Sequence, residues 1–510
     1  MLLRSHLIPP PAPHTEAPAW ALPAPASPEI LSARRQALRA WRPAEGLSTR
    51  LLAEHRRLGA PGTSLASCGR LAEEGAAVIV AGQQPAPGLG PLYALAKAAA
   101  AVSLARSLDA LPLFWIAGDD HDLGEASQVS FLAAGGGLER MTASLTCPPG
   151  TPLNRLETDE ALKSWVERWR ARLPSTPSRD SWFDALLEDC RGTWSDWMAR
   201  SLLRLFGDQG LIVADPAWLR EPASSLLARY AAQAAPLAGR MGAQAARLES
   251  EGWKPAIAPL PHCHLFELSG DRRLRAAPAS DLPQRVRKDP GRFSPDVALR
   301  PVIQDALFPV LAMVAGPGEI AYLAQLGPLY EALEVSRPPL FRRPSLTLLG
   351  PREAGLLACW KLSPADALLP LEVLLEKARA GTGAGPGLAV RIAALKARWQ
   401  AELDTLGKPA VALDPGLARP ARRTSESLDA ALDAFTRKVA AAEDRAGGID
   451  HARALALHQW VFPGGRPQER VLNASSLLAR FGQGLAKALI EEVDWADPAP
   501  RLAVIMEADA

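Results

Sequence analysis

Four ionisable residues in direct succession, Asp119, Asp120, His121 and Asp122, follow a run of large apolar side chains in LPLFWIAGDDHDLGE, residues 111–125. Carboxylates and an imidazole are general acid–base groups, and they are also oxygen and nitrogen ligands for a cation. Burying them unpaired would be costly, so the end of a strand at a cleft mouth is where they stay useful. These four are the candidate catalytic residues. A structural role competes, with Asp122 as a helix N-cap and Glu125 completing a capping box. A cap needs only one of the four, so both roles fit.

A second stretch, GQQPAPGLGPLYALAK at residues 82–97, also follows an apolar run. Gly82 permits a tight turn, and Gln83 and Gln84 bring amide donors and acceptors. Gly90-Pro91 opens a helix whose free N–H groups suit a phosphate or carboxylate. Tyr93 and Lys97 lie on that helix, Lys97 reaching an anion only with its full side chain. Gly82, Gln83, Gln84, Gly90, Tyr93 and Lys97 are therefore read as substrate or nucleotide contacts. The stretch is neither a Walker motif nor GxGxxG, and a glycine-rich turn with solvated glutamines explains it equally well.

A third stretch, 299–333, carries the rigid turn Gly316-Pro317-Gly318, then Glu319 and Tyr322 at a helix start. Gly316, Gly318, Glu319 and Tyr322 join the binding set, although the helix dipole alone would explain Glu319. His262 and His264 flank Cys263, but two histidines without a clear third ligand make no zinc site, and no metal is assigned.

The elements that must position these residues come from apolar periodicity. Ala76–Ala81, Leu111–Ala117, Gly210–Ala214 and Leu311–Ala315 read as buried strands, and a helix is expected over 91–107. Strand, helix and strand within some forty residues form a βαβ unit and a parallel sheet, whose ligands gather at the carboxyl ends of the strands. Residues 28–57 read as one helix behind a proline-rich arm at 1–27. Further on, Leu388, Ile392, Leu395, Trp399 and Leu403, and then Leu428, Leu432, Phe435, Val439 and Ala442, recur at spacings of three and four. That rhythm predicts an antiparallel coiled-coil hairpin joined by a proline-containing connection at 407–423.

The fold class is therefore α/β: a Rossmann-like parallel-sheet core with connecting insertions, plus a long α-helical coiled-coil domain. The expected divisions are a core at 1–365 with insertions at about 130–205 and 225–300, a helical hairpin at 366–460, and a segment at 461–510 returning to the core. A net charge of +2 over 510 residues gives no reason to expect nucleic acid or an anionic membrane as partner. No secretory signal or stretch of ~18 apolar residues is seen, so a cytoplasmic protein is expected. The five cysteines are far apart and form no CxxC pair.

The longer motifs AGQQPxxxxGPLYxxxK, FWIAGDDHD, LRPVIQDALFP, GPGEIAYLAQL, RRPSLTLL and FPGGRPQERVLN occur in an order that resembles the cysteine ligase family of bacillithiol biosynthesis. The resemblance runs from about residue 75 to 485. The family more often reads GQQPGLFTGPLY, where this chain has Ala86-Pro87-Gly88-Leu89 in the middle. What the resemblance implies is a core similar to nucleotidylyl transferases and class I aminoacyl-tRNA synthetases, and a homodimer formed through the coiled coil. It also implies that the chain joins cysteine to glucosaminyl malate.

That product is an amide, and a free carboxylate is a poor acyl donor. Activation as an acyl adenylate or acyl phosphate therefore implies ATP, with Mg2+ as its optional companion. On this reading the loop at 82–97 holds the phosphate or carboxylate. The tetrad at 119–122 orients the amine, takes its proton or holds Mg2+. The HIGH and KMSKS signatures of the synthetases are absent; RRPSLTL, with Arg342 and Arg343, stands near the second only by loose analogy, and Arg343 is added to the binding set on that ground. Two other classes compete: a non-catalytic binding or assembly factor of thiol biosynthesis, and a metal-dependent hydrolase.

Overall fold

The computed structural model describes residues 2–7, 17–145, 147–258, 263–381, 388–446 and 449–506. The chain divides into two compact units, Met1–Thr347 with Arg466–Ala510, and Leu348–Gly465.

The first unit is built on five strands, β1 (Val78–Gln83), β2 (Leu111–Ile116), β3 (Ile212–Ala214), β4 (Val310–Ala315) and β5 (Leu340–Arg342). They form one sheet in the order β5-β4-β1-β2-β3, and every neighbouring pair is parallel. Counted along the chain this is the doubly wound Rossmann order, with its switch point between β1 and β4. β2, β3 and β4 are buried along their whole length, which is why they read as continuous apolar runs rather than alternating ones. β5 has only three residues, too few to give such a signal.

Helix α1 (Leu92–Ser107) follows β1 and packs on β1 and β2. Its alanines at 94, 96, 98–101 and 105 are all buried, so small side chains let this helix lie close to the sheet. The register of β1 and β2 places Gly82 beside Trp115 and Gln83 beside Ile116. A Cβ at Gly82 would sit 2.8 Å from the Trp115 carbonyl oxygen, so this glycine serves strand packing; the tight turn expected there is not formed, because Gly82 lies within β1. Between β2 and β3 lie the short helix Leu123–Ala126 and the longer helices Glu160–Arg172, Pro177–Asp189 and Trp194–Phe206; between β3 and β4 lie the long helix Ser224–Ser250 and a small antiparallel sheet, Leu265–Ser269 with Arg272–Arg275 and Phe293–Pro295.

Two readings of the N-terminal region are corrected. Residues 28–57 form two helices, Pro28–Leu38 and Leu47–Leu58. Pro43 cannot continue a helix, and Gly46 adopts the left-handed conformation that starts the second. Within the proline-rich arm, Leu2–Leu7 is a strand pairing antiparallel with Arg501–Met506.

In the second unit the helices Leu388–Leu413 and Ala418–Ala446 run antiparallel: Lys396 Nζ lies 2.8 Å from Asp433 Oδ1, and Gln400 Nε2 donates to Asp429 Oδ1 at 2.9 Å. The connection is tighter than the expected 407–423. Pro409 lies inside the first helix, and a short turn at Pro415–Leu417 reverses the chain. The expected seam also splits. Ile392, Leu403, Leu432 and Val439 are half-covered, whereas Leu395, Trp399, Leu428 and Phe435 are exposed. The break read at GTGAGPG falls largely on residues outside those described.

Candidate active site

The carboxyl edge of the parallel sheet carries two polar clusters, one at the β1–β4 switch point and one beyond β2 and β3. At the switch point Lys97, on the second turn of α1, turns back over the end of β1. Its Nζ donates to the Gly82 carbonyl at 2.9 Å and to Gln83 Oε1 at 3.1 Å, and it pairs with Glu319 Oε2 at 2.6 Å. An ammonium has three protons, and all three are used. Burial pulls Lys97 below the usual lysine range, with Glu319 opposing. Glu319 belongs to α2 (Pro317–Leu323), which follows β4, and it also accepts from the Gly316 N–H at 3.0 Å. The ion pair thus bridges the crevice between β1 and β4, and the helix-start role of Glu319 holds beside it.

Gln83 Nε2 donates to the Tyr93 hydroxyl at 3.3 Å. Burial first, and then the charges of Glu125 and Glu319, push that hydroxyl up to about 12, so it keeps its proton. Glu125 lies in the short helix Leu123–Ala126 after β2 and Glu319 in α2 after β4, so the segments that follow these two strands both act on Tyr93. Tyr322 accepts from Arg300 Nη2 at 2.7 Å, and burial, opposed by Arg300 and reinforced by Glu319, holds it at about 12. The Gln84 side chain makes no hydrogen bond among the described residues. Gly318 stands in open space.

Two expectations about this region change. Gly90 does not open a free helix end: its carbonyl accepts from Ala474 N–H at 2.8 Å, and Leu92 N–H donates to the Leu472 carbonyl at 2.9 Å. The Ala86–Leu89 segment is fastened to the same chain, with Asn473 Nδ2 on the Pro87 carbonyl and Ser475 Oγ on the Gly88 carbonyl. Arg343 is buried and bidentate to Glu469, Nη1 to Oε2 at 2.7 Å and Nη2 to Oε1 at 3.0 Å. It is committed to fastening the C-terminal segment.

The second cluster divides the tetrad. Asp119 is buried and takes both nitrogens of Arg220, one contact being Nη1 to Oδ2 at 2.8 Å. Asn154 Nδ2 bridges Asp119 Oδ1 and Asp215 Oδ1, each at 3.0 Å. Burial, then the Asp119 charge, pushes Asp215 up to about 7. Asp215 Oδ2 and Ser195 Oγ converge beside Gly118 without a well-formed hydrogen bond, and any Cβ at Gly118 would collide with both. Asp122 is exposed and caps Glu125 N–H at 3.0 Å, as the N-cap reading requires; the capping box is not completed, because the Asp122 N–H donates to Asp120 and not to Glu125. Asp120 Oδ1 accepts from the His121 and Asp122 N–H groups, leaving Oδ2 without a partner among the described residues.

His121 is half-buried with its ring edge against Phe266. Its Nδ1 lies 3.2 Å from Arg273 Nη1, and a guanidinium only donates, so Nδ1 accepts and the neutral ring carries its proton on Nε2. Burial, then Arg273, pulls the imidazole below its usual range, which keeps it neutral. Among the described residues no three His, Cys, Asp or Glu side chains are grouped to hold a metal ion, and the tetrad, committed as above, does not fit a divalent cation. His264 Nδ1 is 2.8 Å from Asp296 Oδ2, whereas His262 lies outside the described residues.

Asn154, Ser195, Asp215, Arg220, Arg273 and Arg300 escaped the sequence reading. Asp215 had a signal, since it directly follows the apolar run of β3, as Asp119 nearly follows β2. Arg220 and Arg273 had none, because their partners are distant in sequence.

Residues 28–344 match the family model for the N-terminal Rossmann-like domain of bacillithiol biosynthesis BshC, and 346–499 match the model for its C-terminal coiled-coil domain. Relatives named "Putative cysteine ligase BshC" include one from Koribacter versatilis, 31% identical over 87% of both chains, and one from Chlorobaculum tepidum, 30% identical over 80% of this chain and 79% of that one. One from Heliobacterium modesticaldum is 29% identical over 92% of both. Both of its units, and a doubly wound sheet with polar clusters at its carboxyl edge, place this chain in the BshC family of bacillithiol biosynthesis.

Proposed function

We propose that this chain is a cytoplasmic ligase that joins the carboxyl group of cysteine to the amine of glucosaminyl malate, with ATP as the activating cosubstrate. The observation that carries the reading is the adjacency of two loops. β1 and β2 are parallel neighbours in register, so Gln83 and the Asp120–His121 turn leave the sheet side by side at its carboxyl edge. ATP enters from bond energetics, because an amide does not form spontaneously from a free carboxylate. No step is assigned to Mg2+.

Within the reaction the residues divide the work. The free Oδ2 of Asp120 orients the attacking amine and receives its proton. His121 offers Nε2–H to the oxygen that becomes negative when the amine attacks the carbonyl. That is an electrostatic role; the Nδ1 lone pair it would need as a base is held by Arg273. Asp119 holds the turn from behind. The hairpin's uncovered Leu395, Trp399, Leu428 and Phe435 support a homodimer formed through a second copy of that surface.

The test is product formation. Purified protein with cysteine, glucosaminyl malate and ATP is expected to yield the amide by mass spectrometry. His121→Ala should lower turnover ~100-fold or more with the thermal midpoint kept. Unchanged turnover would remove His121 from the mechanism, and no amide under any nucleotide would remove the ligase.

A further inference from the structure

We infer that Arg300 is the residue that grips the anionic end of a substrate in the β1–β4 crevice, through a bidentate contact to a carboxylate or phosphate. Arg300 is the second residue of the helix Leu299–Leu307, whose start is fixed by Asp296 Oδ1 on the Ala298 and Leu299 N–H groups. Its side chain is half-buried, and its guanidinium makes one hydrogen bond, to Tyr322, and no ion pair among the described residues. Four other arginines of the two clusters are occupied: Arg220 by Asp119, Arg275 by Asp296, Arg343 by Glu469, and Arg273 by Ser294, the Pro295 carbonyl and His121.

The carboxylates that act on Arg300 from beyond contact are held elsewhere. Glu319 is taken by Lys97 and Gly316. Asp305 is taken by Tyr330 and Gln304. Burial opposes the charge of Arg300, but Tyr322, Glu319 and Asp305 outweigh it and hold the guanidinium firmly protonated; most of its donors still lack a partner among the described residues, and an incoming planar anion takes them. The fork of a guanidinium matches two oxygens of a carboxylate or phosphate, which an ammonium does not. Tyr322 fixes the fork by accepting from it and keeps its own proton to donate to the same anion. The crevice is the switch point of the sheet, where open α/β folds bind ligands.

The inference rests on the ligase reading only for which anions to try. Isothermal calorimetry on the full chain with cysteine, glucosaminyl malate and ATP, each alone, separates the sources. Wild type should bind at least one probe. Arg300→Gln should weaken that probe tenfold or more without moving the thermal midpoint, and Arg300→Lys should fall between. If Arg300→Gln does not fold, Arg300→Lys and Tyr322→Phe carry the test, and both should weaken the same probe. Wild type binding none of the three, or the variants binding as wild type does, overturns the inference. Arg300-dependent binding in a protein that makes no amide sustains it and sinks the ligase reading; normal amide formation by Arg300→Gln does the reverse.

Discussion

The two polar clusters at the carboxyl edge of the sheet contain similar residues in opposite states. Beyond β2 and β3, Asp119, Asn154, Asp215 and Arg220 are closed on one another, and Asp119, Asp215 and Arg220 are all nearly inaccessible. At the switch point the buried ammonium of Lys97 is fully satisfied, but the groups around it are not. Arg300, Gln84 and the hydroxyl proton of Tyr93 remain uncommitted on half-buried residues. The first arrangement spends its polarity on holding the backbone. The second keeps donors in reserve where a ligand can reach them. What separates scaffold from site here is how completely a group is paired, which residue type alone does not reveal.

The largest effect should come from opening the closed cluster. Asp119→Ala leaves Arg220 buried without its carboxylate and unbridges Asn154, so unfolding in urea should show a loss of roughly 3–5 kcal/mol. Gln84→Ala at the open cluster should stay within about 0.5 kcal/mol. If the two substitutions cost the same, the division into scaffold and site is wrong.

The closed cluster also has a pH signature. Asp215 goes from an ordinary value of 3.8 to about 7 on folding, because of burial and then of Asp119. Between about pH 4 and pH 7 the folded chain keeps a proton that the unfolded chain has lost. Stability therefore falls as pH rises through that window and levels off above it. At ~1.4 kcal/mol per unit the fall is roughly 2–4 kcal/mol, allowing for relaxation around the pair. Asp215→Asn removes the titration, so the stability difference between wild type and variant should change by that amount across the window. Parallel curves would show that Asp215 is ionised throughout.

Much of this frame can be read from the sequence. Buried strands of a parallel sheet are apolar on both faces, so β1, β2, β3 and β4 announce themselves, and with them the edge at which a site belongs. Asp122 as a cap and Glu319 as a helix-start residue are equally local, since partner and residue lie three positions apart. What sequence withholds is pairing across the fold. Arg220 lies about a hundred positions from Asp119, Arg343 still farther from Glu469, and the free end expected at Gly90 is closed by residues 472–474. Lys97, Arg343 and Arg300 look alike as letters; only their partners in the fold decide that the first two are ion-paired and that the third has a single hydrogen bond, to Tyr322. The hairpin shows the same limit, because a heptad rhythm does not say which apolar positions face the sister helix and which face outward.

The smallest effect on stability should accompany a clear effect on function. Tyr93→Phe removes a hydroxyl that accepts one long hydrogen bond from Gln83 on a half-buried side chain. The ring and its packing remain, so the stability cost should be under about 1 kcal/mol. If the hydroxyl proton is reserved for a ligand, the same change should raise KM or lower kcat several-fold, because Tyr93 no longer donates and Gln83 keeps only Lys97 of the two contacts that orient it. Burial and two neighbouring carboxylates hold the group protonated up to about 12, so its contribution should be flat across neutral pH. A variant that loses stability but keeps its kinetics would move Tyr93 to the scaffold, leaving Arg300 and Gln84 as the uncommitted donors of the switch point.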